Sequence, residues 1–266
     1  MLVGVWTRDG RAHMPAGLFL SVIWAGLPPE QALERALDAA EPPGALRAAF
    51  NATLTSGSAV RMIRFDPYAA GAARFRQTYS YGDNEELDAV VRGWMEEEAP
   101  DSRLFAEDLR LSLGEARISG APEQMAVSFR HRMSMNDGPD DEVFSARMSG
   151  LLELDRASGY IARIRYEIDS PVTLDTGAVV NDYRQTYNFA YSARWGVSFV
   201  TGYDLVARGG RWGLNEERAI RVVLTDVAFG FAGDARQALQ SAPAPGAPGQ
   251  LAGLSRPTGA VSGGEP

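Results

Sequence analysis

The chain has 266 residues, 45% hydrophobic and 23% charged, which is enough apolar side chain to build a core without a disulfide or metal staple. It has no cysteine, which excludes disulfides, thiolate nucleophiles, iron–sulfur ligation and cysteine-based zinc sites. A net charge of −8 argues against nucleic acid as a partner, because phosphate binding needs a concentrated cationic field, and the 26 basic residues are all arginine, a skew that a GC-rich genome explains.

From the amino terminus, the uncharged run 16–27 is far shorter than the roughly 20 apolar residues a spanning helix needs, and it matches the apolar core of a secretory signal. Residues 1–29 are therefore expected to be a signal segment and the protein to be periplasmic or secreted; a buried first helix is the alternative. Pro28-Pro29 and the residues after it predict a helix over 30–40, with Leu33 and Leu37 on one face. A second helix is expected over 45–54, from Leu46, Ala49, Phe50 and Leu54. Residues 59–65 and 75–81 read as a hairpin interrupted by Asp66-Pro67. Asn84 is placed to cap a third helix, whose Leu87, Val90, Val91, Trp94 and Met95 share one face. Its acidic end, Glu96-Glu97-Glu98, opposes the helix dipole and is expected to be solvated.

Beyond it period two takes over. Met125, Val127, Phe129, His131, Met133 and Met135 alternate with polar residues, and Asn136-Asp137-Gly138-Pro139 predicts a hairpin turn into a strand holding Phe144, Ala146, Met148, Gly150, Leu152 and Leu154 on one face. Further strands are expected over 160–168, 179–192, 197–207 and 218–231. Short turns without helical crossovers make adjacent pairs antiparallel. The expected architecture is mainly β (α+β): a curved antiparallel sheet or incomplete β-barrel with two or three covering helices, forming one half-barrel-like domain over 30–233. Residues 234–266, rich in Pro, Gly and Ala, are expected to be a disordered tail.

No catalytic constellation emerges, and the chain reads as a non-enzyme. The only histidines are His13, in the expected signal segment 1–29, and His131, with no Gly-x-Ser-x-Gly elbow beside it. Asp137, Asp140, Asp141 and Glu142 crowd one turn without the spacing of a calcium loop, and 209–213 lacks the ending of a phosphate loop. No metal or cofactor is assigned. A cell-envelope hydrolase using acidic residues or His131 is the enzymatic alternative, and a non-catalytic envelope interaction domain is another. Arg130, Arg132, Arg147, Arg163 and Arg165 read as a solvated charge ladder with Glu153 and Glu167.

What remains is an aromatic and methionine-rich face. Phe75 and Tyr79 come from the early hairpin, and Phe129, His131, Met133 and Met148 from the middle strands. Tyr166, Tyr187, Phe189, Tyr191, Phe199 and Tyr203 come from the later strands, with Tyr183 on the same alternation. These are the candidate ligand-binding residues. An apolar small molecule, a lipid or an acylated protein is the expected partner, with membrane contact but no transmembrane span.

The succession of apolar signal, helix, two strands, amphipathic helix and long meander, including Gly150-x-Leu152-x-Leu154-Asp155-x-x-Ser158-Gly159-x-Ile161, resembles the periplasmic outer-membrane lipoprotein carrier and sorting proteins. The resemblance implies an incomplete β-barrel with helices capping an apolar concave face. It also implies shelter for acyl chains and no bond-making chemistry.

Overall fold

The computed structural model describes residues 27–231, except 98, 107, 121–124, 134–138, 156, 175 and 211–215. The expected signal segment and carboxyl tail thus lie outside the described residues, apart from 27–29. Helix α1 (Pro29–Asp38) is followed by strands β1 (Leu46–Ser56), β2 (Ala59–Phe65) and β3 (Phe75–Tyr81), then by α2 (Glu85–Glu96), a 3-10 turn at Pro100–Leu104 and the single turn α3 (Leu109–Ser112). Next come β4 (Leu113–Ser119), β5 (Ala126–His131), α4 (Pro139–Ser145), β6 (Met148–Leu154) and β7 (Ile161–Ile168). The short β8 (Val172–Thr173) precedes the long strands β9 (Val179–Ser192), β10 (Val197–Gly210) and β11 (Glu216–Phe231).

All of them form one antiparallel sheet, in the order β3-β2-β1-β11-β10-β9-β7-β6-β5-β4, with β8 beside β9. The last strand returns to pair with the first, and β3 and β4 remain as edges, so the sheet is open and not closed into a barrel. No helix among the described residues is long and apolar enough to cross a membrane.

Two local expectations are corrected. Residues 46–56 form a strand where a helix was expected. Leu46, Phe50 and Leu54 recur every four residues, but Ala48 and Ala52 between them are also buried, and pairing on both sides with β2 and β11 selects period two. Phe144 lies in α4, and β6 begins only at Met148, so the expected strand is shorter; Asn136, Asp137 and Gly138 of its predicted turn lie outside the described residues. Strands β4 and β8 had no counterpart in the sequence reading. The turn of the first hairpin places Gly57 at φ +56°, which a residue without Cβ adopts without strain, and Ser56 then pairs directly with Ala59.

One register row defines the covered face. Ile118, Val127, Leu152, Ile164, Tyr187, Tyr203, Val222 and Leu54 stand opposite one another from β4 to β1. Cross-strand partners point to the same side of a sheet. Two packed clusters cover this row. Ala32, Leu33, Ala36 and Leu37 of α1 sit over Val127, Leu152 and Ile164, whereas Leu87, Val91 and Trp94 of α2 sit over Phe50, Leu54 and Val222. Asn84 caps α2 by accepting from the Leu87 amide at 2.9 Å. The buried Arg61 guanidinium fixes α2 to the β2–β3 hairpin, donating to both carboxylate oxygens of Asp88 and to the Val60 and Tyr81 carbonyls.

Candidate ligand-binding cavity

Between the two clusters the same face carries a cavity of about 620 Å³. Its floor is Ile164 and Tyr166 of β7, Tyr183, Gln185, Tyr187 and Phe189 of β9, and Val200 and Tyr203 of β10. The roof is the irregular chain between α2 and β4, including Ser102, Arg103, Phe105 and Leu109, and His131, Ser145 and Met148 close one side.

The roof is tied down at three places. Asp101, buried in the 3-10 turn, accepts from Arg47 Nε at 2.7 Å and Nη2 at 2.6 Å and from the Ala48 amide at 3.0 Å. Arg110 of α3 donates to Glu34, Asp38 and Glu41, which bind the roof to α1 and its C-terminal loop. The Ser112 carbonyl accepts from the Arg132 amide at the end of β5. Leu104 and Phe105 join one packed cluster and Leu109 the other, so the roof spans the gap without filling it.

Polar groups run along the floor. Tyr183 Oη donates to Gln185 Oε1 at 3.0 Å, and Gln185 Nε2 donates to Tyr187 Oη at 2.7 Å; residues two apart on a strand share a face, which makes this ladder local. Burial pushes the Tyr187 and Tyr203 phenols above their ordinary range and keeps both protonated. At the rim, Arg103 Nε donates to Glu97 at 2.8 Å, Nη2 donates to the other carboxylate oxygen, and the guanidinium stands over the Trp94 ring. That pairing raises the Arg103 pKa and shows that Glu97, expected to be merely solvated, is fixed to the roof.

His131, Met148, Tyr166, Tyr187, Phe189 and Tyr203 of the predicted face line this cavity. Phe129 lies behind the wall, edge-on to Tyr166 at 5.8 Å. Tyr191 stacks on Tyr160 beneath Arg35, away from the cavity. Phe199 packs on Phe229, because the irregularity between Val200 and Gly202 shifts the alternation so that Val200 and Tyr203 share the cavity side. Phe75 joins the cluster under α2. Tyr79 and Met133 are exposed, on the β3 edge and beyond the end of β5 respectively.

Sequence reasoning missed Gln185 and the whole roof. Gln185 has the alternation of its neighbours Tyr183 and Tyr187, but a polar side chain carries no signal of an apolar face. The roof lies in short turns with no periodic signal. The lining is correspondingly more polar than the apolar face expected.

The opposite face carries a charge ladder, with Arg163 on Glu153 at 3.2 Å, Arg184 on Glu167 at 3.1 Å and Arg130 on Asp169. Among the described residues no three acidic or histidine side chains are grouped to hold a metal. The fold and cavity define a class: an open antiparallel sheet with a half-covered pocket between two helical covers. No family model, curated protein or solved structure matches the chain.

Proposed function

We propose that the chain is an exported, non-catalytic binding protein that holds a lipid, an acylated peptide or another amphipathic ligand in this cavity. The observation that carries the reading is the unfilled volume of about 620 Å³ between two otherwise well-packed clusters. Small-molecule sites run from about 300 to 1,000 Å³, whereas a sheet serving only as scaffold gains most by closing such a gap. The run 16–27 supports export, and the resemblance to lipoprotein carriers supports the same kind of cargo.

Native mass spectrometry of the gently purified protein, followed by titration with neutral and anionic fluorescent acyl probes, tests the proposal. Retained ligand or saturable uptake is the expected result. Uniformly ligand-free protein that takes up neither probe overturns it. The hydrolase reading has in its favour that His131, Asp108, Ser112 and Ser145 all line the cavity. The Ser112 hydroxyl, however, donates to the Leu109 carbonyl at 3.0 Å and is committed there. A panel of esters assayed with the parent chain and with His131→Ala separates the readings, since a binding protein turns over none of them.

A further inference from the structure

The floor ladder has a direction, and the direction leaves a donor. Tyr183 gives its proton to Gln185, and Gln185 gives an amide proton to Tyr187. Having accepted, the Tyr187 hydroxyl keeps its own proton to donate, and it donates to no partner among the described residues. Tyr187 lines the cavity, so the donor is available there. A buried hydroxyl without an acceptor costs free energy that a ligand carbonyl recovers.

The charges around that donor matter as much. Among the described residues the carboxyl and guanidinium groups on the lining are Glu97, Asp108 and Arg103, with Arg103 the positive one. The positive one is occupied: Glu97 takes both a Nε and an Nη2 hydrogen bond from it, and Trp94 lies beneath its plane. An entering carboxylate would have to break this two-point ion pair to gain the Arg103 cation. The rest of the lining, with Phe105, Leu109, Ile164, Phe189 and Val200, suits an alkyl body.

Resting on the binding reading, we infer that the ligand presents an uncharged carbonyl, as in an ester or amide of a long-chain acid, to the Tyr187 hydroxyl, and that the cavity selects against the free acid. Burial supports this by keeping the phenol a donor at any physiological pH.

The test is calorimetric titration of the full chain at pH 8, with monolauroylglycerol and laurate as probes, each below its aggregation threshold. The neutral ester should bind at least about tenfold tighter than laurate. Tyr187→Phe should weaken the ester about fivefold, the worth of one neutral hydrogen bond, and leave laurate unchanged. In the unaltered chain, 1-O-dodecylglycerol, which lacks the carbonyl, should show a similar loss, and that arm depends on no variant folding. Laurate binding as tightly as the ester, or an ether binding as tightly as the ester, overturns the inference and leaves the binding reading standing. If no probe binds, the binding reading falls and the inference with it.

Discussion

The ring of Phe129 lies across Gly150 on the neighbouring strand, and a Cβ added to that glycine would fall within the ring. Gly150 is also the register partner of Tyr166, whose ring meets Phe129, His131 and Tyr187 edge-on at centroid distances of 5.8, 5.7 and 6.3 Å. The missing side chain is thus what lets an aromatic chain run from the core under α1 to the floor of the cavity, a cross-strand aromatic covering a glycine.

Gly150→Ala is therefore expected to displace Phe129 and destabilise the protein by about 1–3 kcal/mol, the usual cost of overpacking. Urea unfolding of Gly150→Ala, Phe129→Leu and the double variant measures the coupling. The double variant should lose at least about 1 kcal/mol less than the sum of the singles; additive losses would show that the ring does not occupy that space.

Asp101 anchors the roof from a buried position, with the Arg47 guanidinium and the Ala48 amide both donating to it. Asp101→Ala should cost about 3 kcal/mol, since it removes a two-point ion pair from a buried carboxylate and leaves the buried Ala48 amide without its acceptor. Limited proteolysis should then cut first within residues 100–112. Cleavage elsewhere, or an unchanged denaturation midpoint, would remove the roof's dependence on this anchor.

Met148 stands on the cavity wall, half-buried, at the start of β6. Met148→Trp adds volume where space is available, so the thermal midpoint should stay within a few degrees while uptake of acyl probes falls at least about tenfold. Undiminished uptake would mean that ligands sit outside this cavity.

Acid and base should each remove a defined contribution. Hydrogen bonds from Arg61 hold the Asp88 carboxyl below its ordinary range, so the pair's stabilisation is complete above about pH 4 and declines as pH falls through the depressed value. Asp88→Asn should flatten that limb of the stability profile. Burial, with a hydrogen bond to Tyr160, pushes the Tyr191 phenol up to about 12. A raised phenol stabilises the fold fully below about pH 10, and this is lost as pH climbs toward the folded value. Tyr191→Phe should weaken that alkaline decline in circular dichroism, and an identical alkaline limb would contradict the assignment.

Much of the sheet was legible because alternation is a local property. Val127 and Phe129 of β5, Leu152 and Leu154 of β6 and the aromatic run of β9 each announce a face within a few residues, and Asn84 announces α2 by its capping chemistry. Where one stretch satisfied two periods, at Leu46, Phe50 and Leu54, only the partners β2 and β11 could select the strand. Polarity concealed Gln185, and the irregularity after Val200 moved Phe199 off the side it shares by strict alternation with Tyr203.

The residue order alone determined the composition class, the absence of thiol chemistry and the existence of an antiparallel sheet with amphipathic helices to cover it. Tertiary structure decided that β11 closes back on β1, that α1 and α2 cover separate halves of the face, and that a roof anchored by Asp101 and Arg110 spans the gap between them. Those outcomes depend on contacts between residues far apart in the chain, such as Arg47 with Asp101 or Arg110 with Glu34, and no local pattern encodes which distant partners will meet.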